Sequence, residues 1–247
     1  MSFILKHWKL EIEEFMINHK YKFIFIHIPK CAGSSIKRHF FPDAKVDWRL
    51  PNYEVLYGWC PKRKIHLQHA TSQQLLETEL ISEEVWKSYF KFTFVRNPWD
   101  RAYSDYLWIM SDRKLKGSFN DYISKMGVFK KCMRDNNNKE YRGDHLIPQT
   151  KFYSVTGDFK MDFIGRFENL TPDLSFVNKR INFPSKFNSH EKHNTQKLSH
   201  YSLFYNKERK GLVDHFYADD IQELDYTYED KRTGLWRIRT LYEKLKF

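Results

Sequence analysis

The chain has 247 residues, of which 41% are hydrophobic and 17% aromatic, enough to build one α/β domain with a buried core. Lysine and arginine total 42 against 31 acidic residues, a formal net charge of +11. That balance favours anionic partners, but the basic residues are dispersed, with Lys62–Lys64 and Lys130–Lys131 as the densest runs, so no concentrated nucleic-acid face is expected.

Three cysteines, Cys31, Cys60 and Cys132, are widely spaced and form no C-x-x-C, which argues against a disulfide framework or a zinc site and for a reducing compartment. The apolar-leaning start, Phe3 to Trp8, is soon interrupted by Lys9, Glu11, Glu13 and Glu14; it reads as neither a signal peptide nor a membrane span. A cytoplasmic location is therefore expected.

In chain order, Ile4, Trp8, Ile12, Phe15 and Met16 recur at helical spacing and predict an amphipathic helix over residues 4–19. Tyr21 to Ile28 is rich in aromatic and β-branched residues and predicts a buried parallel strand. Pro29 ends it, and Gly33-Ser34-Ser35 opens a helix that finishes near Phe41. Residues 42–64 read as an irregular excursion, followed by short helices over 71–79 and 82–89. A second buried strand, Lys91 to Val95, runs into Asn97 as N-cap and Pro98 at the first helical position, predicting a helix to about Met110. Later elements are a loop at 135–139, a strand near 161–167, helices over 173–182, 207–216 and 235–247, and a polar loop over 185–195. No repeat or boundary divides the chain, so a single domain over residues 1–247 is expected.

Two strand–loop–helix units carry the chemistry. In the first, Phe25-Ile26-His27-Ile28-Pro29-Lys30-Cys31-Ala32-Gly33-Ser34-Ser35, a strand meets a helix start whose amides and dipole favour an anion. Gly33 permits close backbone approach, Ser34 and Ser35 supply hydroxyls, and Lys30 adds a full charge. In the second, Phe94-Val95-Arg96-Asn97-Pro98-Trp99-Asp100-Arg101-Ala102-Tyr103-Ser104, Arg96 stands at a strand end where it can fork onto a phosphate, with Ser104 two turns into the helix. Arg101 on the first turn opposes the helix dipole, which calls for an acidic partner or a ligand.

These two segments, in this order and about 65 residues apart, resemble the paired nucleotide-binding signatures of sulfotransferases that use 3′-phosphoadenosine 5′-phosphosulfate (PAPS). The carbohydrate type, with the heparan sulfate 2-O- and chondroitin sulfotransferases, is the nearest likeness. Weaker similarity continues through His69-Ala70-Thr71, His145 to Gln149, Ile164 to Leu170 and Tyr217 to Tyr228.

The resemblance implies a P-loop-like three-layer α/β fold, a central parallel sheet flanked by helices, with PAPS across the strand ends. It assigns Lys30 to the bridging and sulfate oxygens, the amides of Cys31, Ala32, Gly33, Ser34 and Ser35 to the 5′-phosphate, and Arg96 and Ser104, with Arg101 beside them, to the 3′-phosphate. The implied reaction is sulfuryl transfer to a hydroxyl of an acceptor, expected to be a carbohydrate and, from the net charge, an anionic one. A general base is required, and the resemblance favours His69, with His66 as the alternative. His27, inside a strand, reads as a core residue. Asn194, Thr195 and Lys197 are expected to reach the nucleotide.

No metal is expected: His190, His193 and His200 have neither cysteine ligands nor an H-E-x-x-H pattern. Two other readings remain, a P-loop small-molecule kinase and a polyanion-binding module without catalysis. The first loop carries its lysine before the glycine, unlike G-x-x-x-x-G-K-[ST]. The second would want a recognisable binding module.

Overall fold

The computed structural model describes residues 16–42, 47–155, 159–187 and 198–234. Ile17–Asn18 (β1) and Phe23–Ile26 (β2) pair antiparallel; β2 pairs in parallel with Phe90–Val95 (β5), and β5 in parallel with Phe163–Arg166 (β6), giving the sheet order β1-β2-β5-β6. A separate two-stranded ribbon joins Trp59–Cys60 (β3) to Ile65–His66 (β4). All four residues of β2 are buried, as are the last five of β5, the unbroken apolar pattern of a strand covered on both faces.

Helices flank this mostly parallel sheet. Gly33–Phe40 (α1) follows β2; Ser72–Glu77 (α2) and Glu83–Ser88 (α3) lead into β5; Pro98–Arg113 (α4) leaves it. Phe119–Ile123 (α5), Lys130–Arg134 (α6), Gln149–Tyr153 (α7), Leu170–Arg180 (α8), Lys207–Phe216 (α9) and Ala218–Glu223 (α10) are the other α-helices among the described residues. One hydrophobic cluster packs around the sheet, including Phe23, Ile36, Trp86 and Leu174. A second joins α4, α5, α6 and α9 through Trp99, Tyr103, Tyr122, Phe129 and Val213.

Local signals start three of these helices, that of α4 as expected from Asn97-Pro98. Asn97 caps α4 by accepting from the amides of Trp99 and Asp100, and Ser82 caps α3 through Val85. Thr71 and Gln74 close a reciprocal capping box at the start of α2.

The differences have physical causes. Of the helix expected over residues 4–19, residues 4–15 lie outside the described set, and Ile17–Asn18 form an edge strand because β2 offers them main-chain partners. The excursion at 42–64 contains β3 and an Asn52–Tyr57 bridge. α4 runs one turn past Met110, to a left-handed cap at Lys114, and α8 starts at Leu170, straight out of the turn that ends β6. The helix expected over 235–247 and the residues Asn194, Thr195 and Lys197 fall outside the described residues, as does most of the 185–195 loop.

The register decides where ligands can go. Ile26 lies opposite Thr93, and Val95 opposite Arg166, so the chain leaves β2, β5 and β6 at one common edge. Open parallel sheets bind ligands at that carboxyl edge.

Candidate active site

At this edge lies a cleft of about 1250 Å³, lined by the Pro29–Ser35 loop, Arg96, Ser104, Phe167 and Glu168, and also by Trp48, Tyr57, His66, His69, Trp108, Arg142 and His145. The volume exceeds that of a typical pocket for one small ligand. It can hold a nucleotide together with part of a second substrate.

The loop after β2 has an unusual backbone. Lys30 and Ala32 both adopt left-handed conformations, each with φ of 69°, which costs a non-glycine residue about 1 kcal/mol or more. Alternating hands of this kind turn successive peptide N–H groups toward one point and make an anion nest. The amide of Cys31 donates to Ile28 and that of Ser35 to Ala32. The amides of Gly33 and Ser34, in the first turn of α1, have no intrahelical acceptor. Gly33 must be glycine for a different reason: a Cβ there would stand 1.8 Å from His27 Nε2.

Arg96, 66 residues along the chain from Lys30, closes the same end of the cleft. Its guanidinium donates to the Lys30 carbonyl at 2.9 Å, to Asp100 at 2.6 Å and 2.9 Å, and to Ser104 Oγ at 3.4 Å, while stacking 3.9 Å above Phe167. Gln149 fixes its backbone, accepting from the Arg96 amide and donating to its carbonyl. Gln149 is held in turn by Asp220, which accepts from the amides of Gln149 and Thr150. The weaker sequence similarities at 145–149 and 217–228 thus fall on residues that brace this arginine.

Two residues of the expected ligand set turn their side chains behind the loop, Cys31 having been expected there through its amide alone. Arg101 is buried and donates to the carbonyls of Pro29, His145 and Ile147, tying the loop to the segment that carries His145. The acidic partner that its position on the first turn called for is replaced by three carbonyls. Cys31 buries its thiol against Gln149, and burial pushes that thiol up to about 12. Neither lines the cleft.

Four histidine rings meet on the other side. The rings of His27, His66 and His145 lie 5.1, 6.1 and 5.0 Å from that of His69. His69 Nδ1 is 2.6 Å from Asp144 Oδ2. Burial lowers the His69 pKa against the pull of Asp144, so the ring is neutral near pH 7 and donates Nδ1–H to the carboxylate. Asp144 is buried, which by itself would raise its pKa; His69, His145 and His66 together outweigh that and hold it ionised, below its usual range.

His66 is placed differently. Its Nε2 lies 3.1 Å from the carbonyls of Lys139 and of Tyr141 and 2.9 Å from Arg142 Nη1, and burial takes its pKa down to about 4. His145 is held by Asp105 at 2.6 Å and stacks on Trp108 at 4.7 Å with planes 6° apart. Lys30 Nζ lies 5.2 Å from that same Trp108 ring, so one indole connects the loop to the histidines.

His27, read from the sequence as core, lines the cleft. Its strand ends at Ile26, so the alternation of the strand no longer governs its side chain. Asp144 and Asp105 had no sequence signal of their own, since each matters only through a histidine that folding brings to it.

The model of the sulfotransferase family matches residues 13–227. This chain belongs to that family. It is similar to carbohydrate sulfotransferase 14 of Danio rerio, 24% identical over 204 residues, which is 71% of this chain and 50% of the relative. The chain thus spans about half the length of that curated relative. An uncharacterized protein of Archaeoglobus fulgidus is 29% identical over 107 residues, 43% of this chain and 78% of its own. No solved structure gives a significant match. Among the described residues, no helix is long and apolar enough to cross a membrane.

Proposed function

We propose that this sulfotransferase has a P-loop-like fold, takes the sulfuryl group of PAPS, and moves it to a hydroxyl of a carbohydrate acceptor. One observation carries the reading: Lys30 and Ala32–Ser35 of the anion nest, the Arg96–Ser104 pair, and His69, backed by Asp144, line one cleft. The similarity to a carbohydrate sulfotransferase supports the acceptor class.

The first-turn amides of Gly33 and Ser34 and the hydroxyls of Ser34 and Ser35 hold the 5′-phosphate, while Arg96 and Ser104 hold the 3′-phosphate. That second phosphate is the group an ordinary adenylate lacks. Phe167 keeps the Arg96 fork oriented by stacking on it. Lys30 neutralises charge that develops on the oxygen bridging sulfur and phosphorus. His69 accepts the acceptor's hydroxyl proton at Nε2, the nitrogen opposite the one pledged to Asp144, and the oxygen attacks sulfur as the bridging S–O bond breaks. The products are the sulfated acceptor, adenosine 3′,5′-bisphosphate and a proton. His66, whose Nε2 faces the carbonyls of Lys139 and Tyr141, also lines the cleft and is the alternative base.

A thermal-shift titration with adenosine 3′,5′-bisphosphate, AMP and ATP–Mg²⁺ tests the donor site. The reading predicts a strong shift with the bisphosphate alone. A shift only with ATP–Mg²⁺ would turn the assignment to a kinase, and salt-sensitive polyanion binding without any nucleotide shift to a binding module.

A further inference from the structure

The histidine cluster holds more donor atoms than a general base requires. One ligand atom each from His69, Asp144 and His145 lie within 4.8 Å of one another. His145 commits Nδ1 to Asp105, whose other oxygen accepts from the Tyr122 hydroxyl at 2.6 Å. This leaves His145 Nε2 buried without a hydrogen-bond partner, and Asp144 Oδ1 is in the same condition. Both side chains are more than nine-tenths buried, with 4% and 8% exposure. A carboxylate behind an imidazole fixes its tautomer and aims the other nitrogen, the arrangement found around histidines that ligate metals.

We propose that His69, Asp144 and His145 bind one divalent transition ion of the zinc class, and that this ion silences the enzyme reversibly. Two imidazoles and a carboxylate form a donor set suited to zinc, with room for a water as fourth ligand. Ligand distances of about 2.0–2.2 Å require the three donors to draw together by roughly 1 Å or less, within the reach of side-chain rotation. The silencing follows from imidazole chemistry. An ion on His69 Nε2 consumes the lone pair directly. An ion on Nδ1 displaces the proton given to Asp144 and leaves the ring's single proton on Nε2. Either way His69 cannot accept a proton from the acceptor. The inhibition rests on His69 being the base, whereas the metal site does not.

The test uses the full chain after treatment with a chelator. Cobalt(II) is titrated and followed by visible absorption, and zinc(II) is titrated in competition with a chromophoric chelator. One ion per chain is expected, with affinity at least ~10-fold weaker in His145→Gln and in His69→Gln, while both variants keep the thermal shift with adenosine 3′,5′-bisphosphate. Absence of binding, or binding unchanged in His145→Gln, overturns the site; in the latter case the ion sits elsewhere on the chain. A bisphosphate shift without metal binding refutes this inference and leaves the donor-site reading standing. Metal binding without a bisphosphate shift does the reverse. If a variant does not fold, histidine labelling of the wild-type chain with and without zinc decides: protection of His69 and His145 supports the site, and equal labelling overturns it.

Discussion

The guanidinium of Arg96 donates to the main-chain carbonyl of Lys30 at 2.9 Å, fastening the two strand–loop–helix units to each other. The contact exists because β2 and β5 are parallel neighbours, so residues 66 positions apart leave the sheet side by side. Arg96 therefore shapes the loop and lines the cleft at once.

Arg96→Ala removes both roles. Affinity for adenosine 3′,5′-bisphosphate should fall by about 30-fold or more, roughly 2 kcal/mol, measured by calorimetry. Arg96→Lys should rescue little, because a lysine cannot fork between Asp100 and the Lys30 carbonyl while stacking on Phe167. Full affinity in Arg96→Ala would remove the arginine from the donor site.

His69→Ala should lower kcat by about 10²- to 10⁴-fold and leave bisphosphate binding intact. The base must be neutral to work, and burial lowers its pKa, so activity should hold on acidification to below pH 6.5 before it falls. Asp144 is the largest influence raising that pKa. Asp144→Asn should accordingly move the acidic limb of kcat/KM to still lower pH while reducing the rate. A limb that stays in place would uncouple Asp144 from the base.

Gly33→Ala drives a methyl group to 1.8 Å from His27 Nε2. Overpacking of this kind costs about 1–3 kcal/mol, and Tm should drop by several degrees with loss of nucleotide binding. His27→Ala in the same chain should restore much of the lost Tm, a coupling that a double-mutant cycle measures. Independent, additive effects would contradict the close approach.

His66 links stability to acidity. Its folded pKa is depressed to about 4 against an ordinary 6.5, so the unfolded chain binds more protons between those values. The stability contributed by keeping His66 neutral is present above pH 6.5 and is lost as pH falls from 6.5 to 4. His66→Gln, which keeps a donor for the carbonyls of Lys139 and Tyr141, should flatten the fall of Tm across that window. An unchanged slope would assign the acid sensitivity to other groups.

Cys31 should resist alkylation in the native chain at pH 8, because a buried thiol pushed up to about 12 supplies almost no thiolate. Peptide mass spectrometry after iodoacetamide treatment reads this directly. Rapid labelling of Cys31 in the folded chain would show that the loop opens.

Sequence alone determined the two strand–loop–helix units and the Asn97 cap that starts the helix of the second. These rest on local physics: apolar runs long enough to be buried, Pro29 and Gly33 where the chain must turn, and Asn97-Pro98 at a helix start. Lys30, Arg96 and Ser104 were legible because each sits at a fixed offset from such a landmark, and all three reach the cleft. Tertiary structure alone decided the remainder. His69 meets Asp144 across 75 residues, and His145 meets Asp105 across 40, pairings that no periodicity records. Arg101 has the spacing of a ligand contact, yet its side chain turns into the interior, where the Pro29 carbonyl receives it. Backbone signals act over a few residues, whereas the partner of a buried charge or imidazole is set by which strands pair and which segments they bring together.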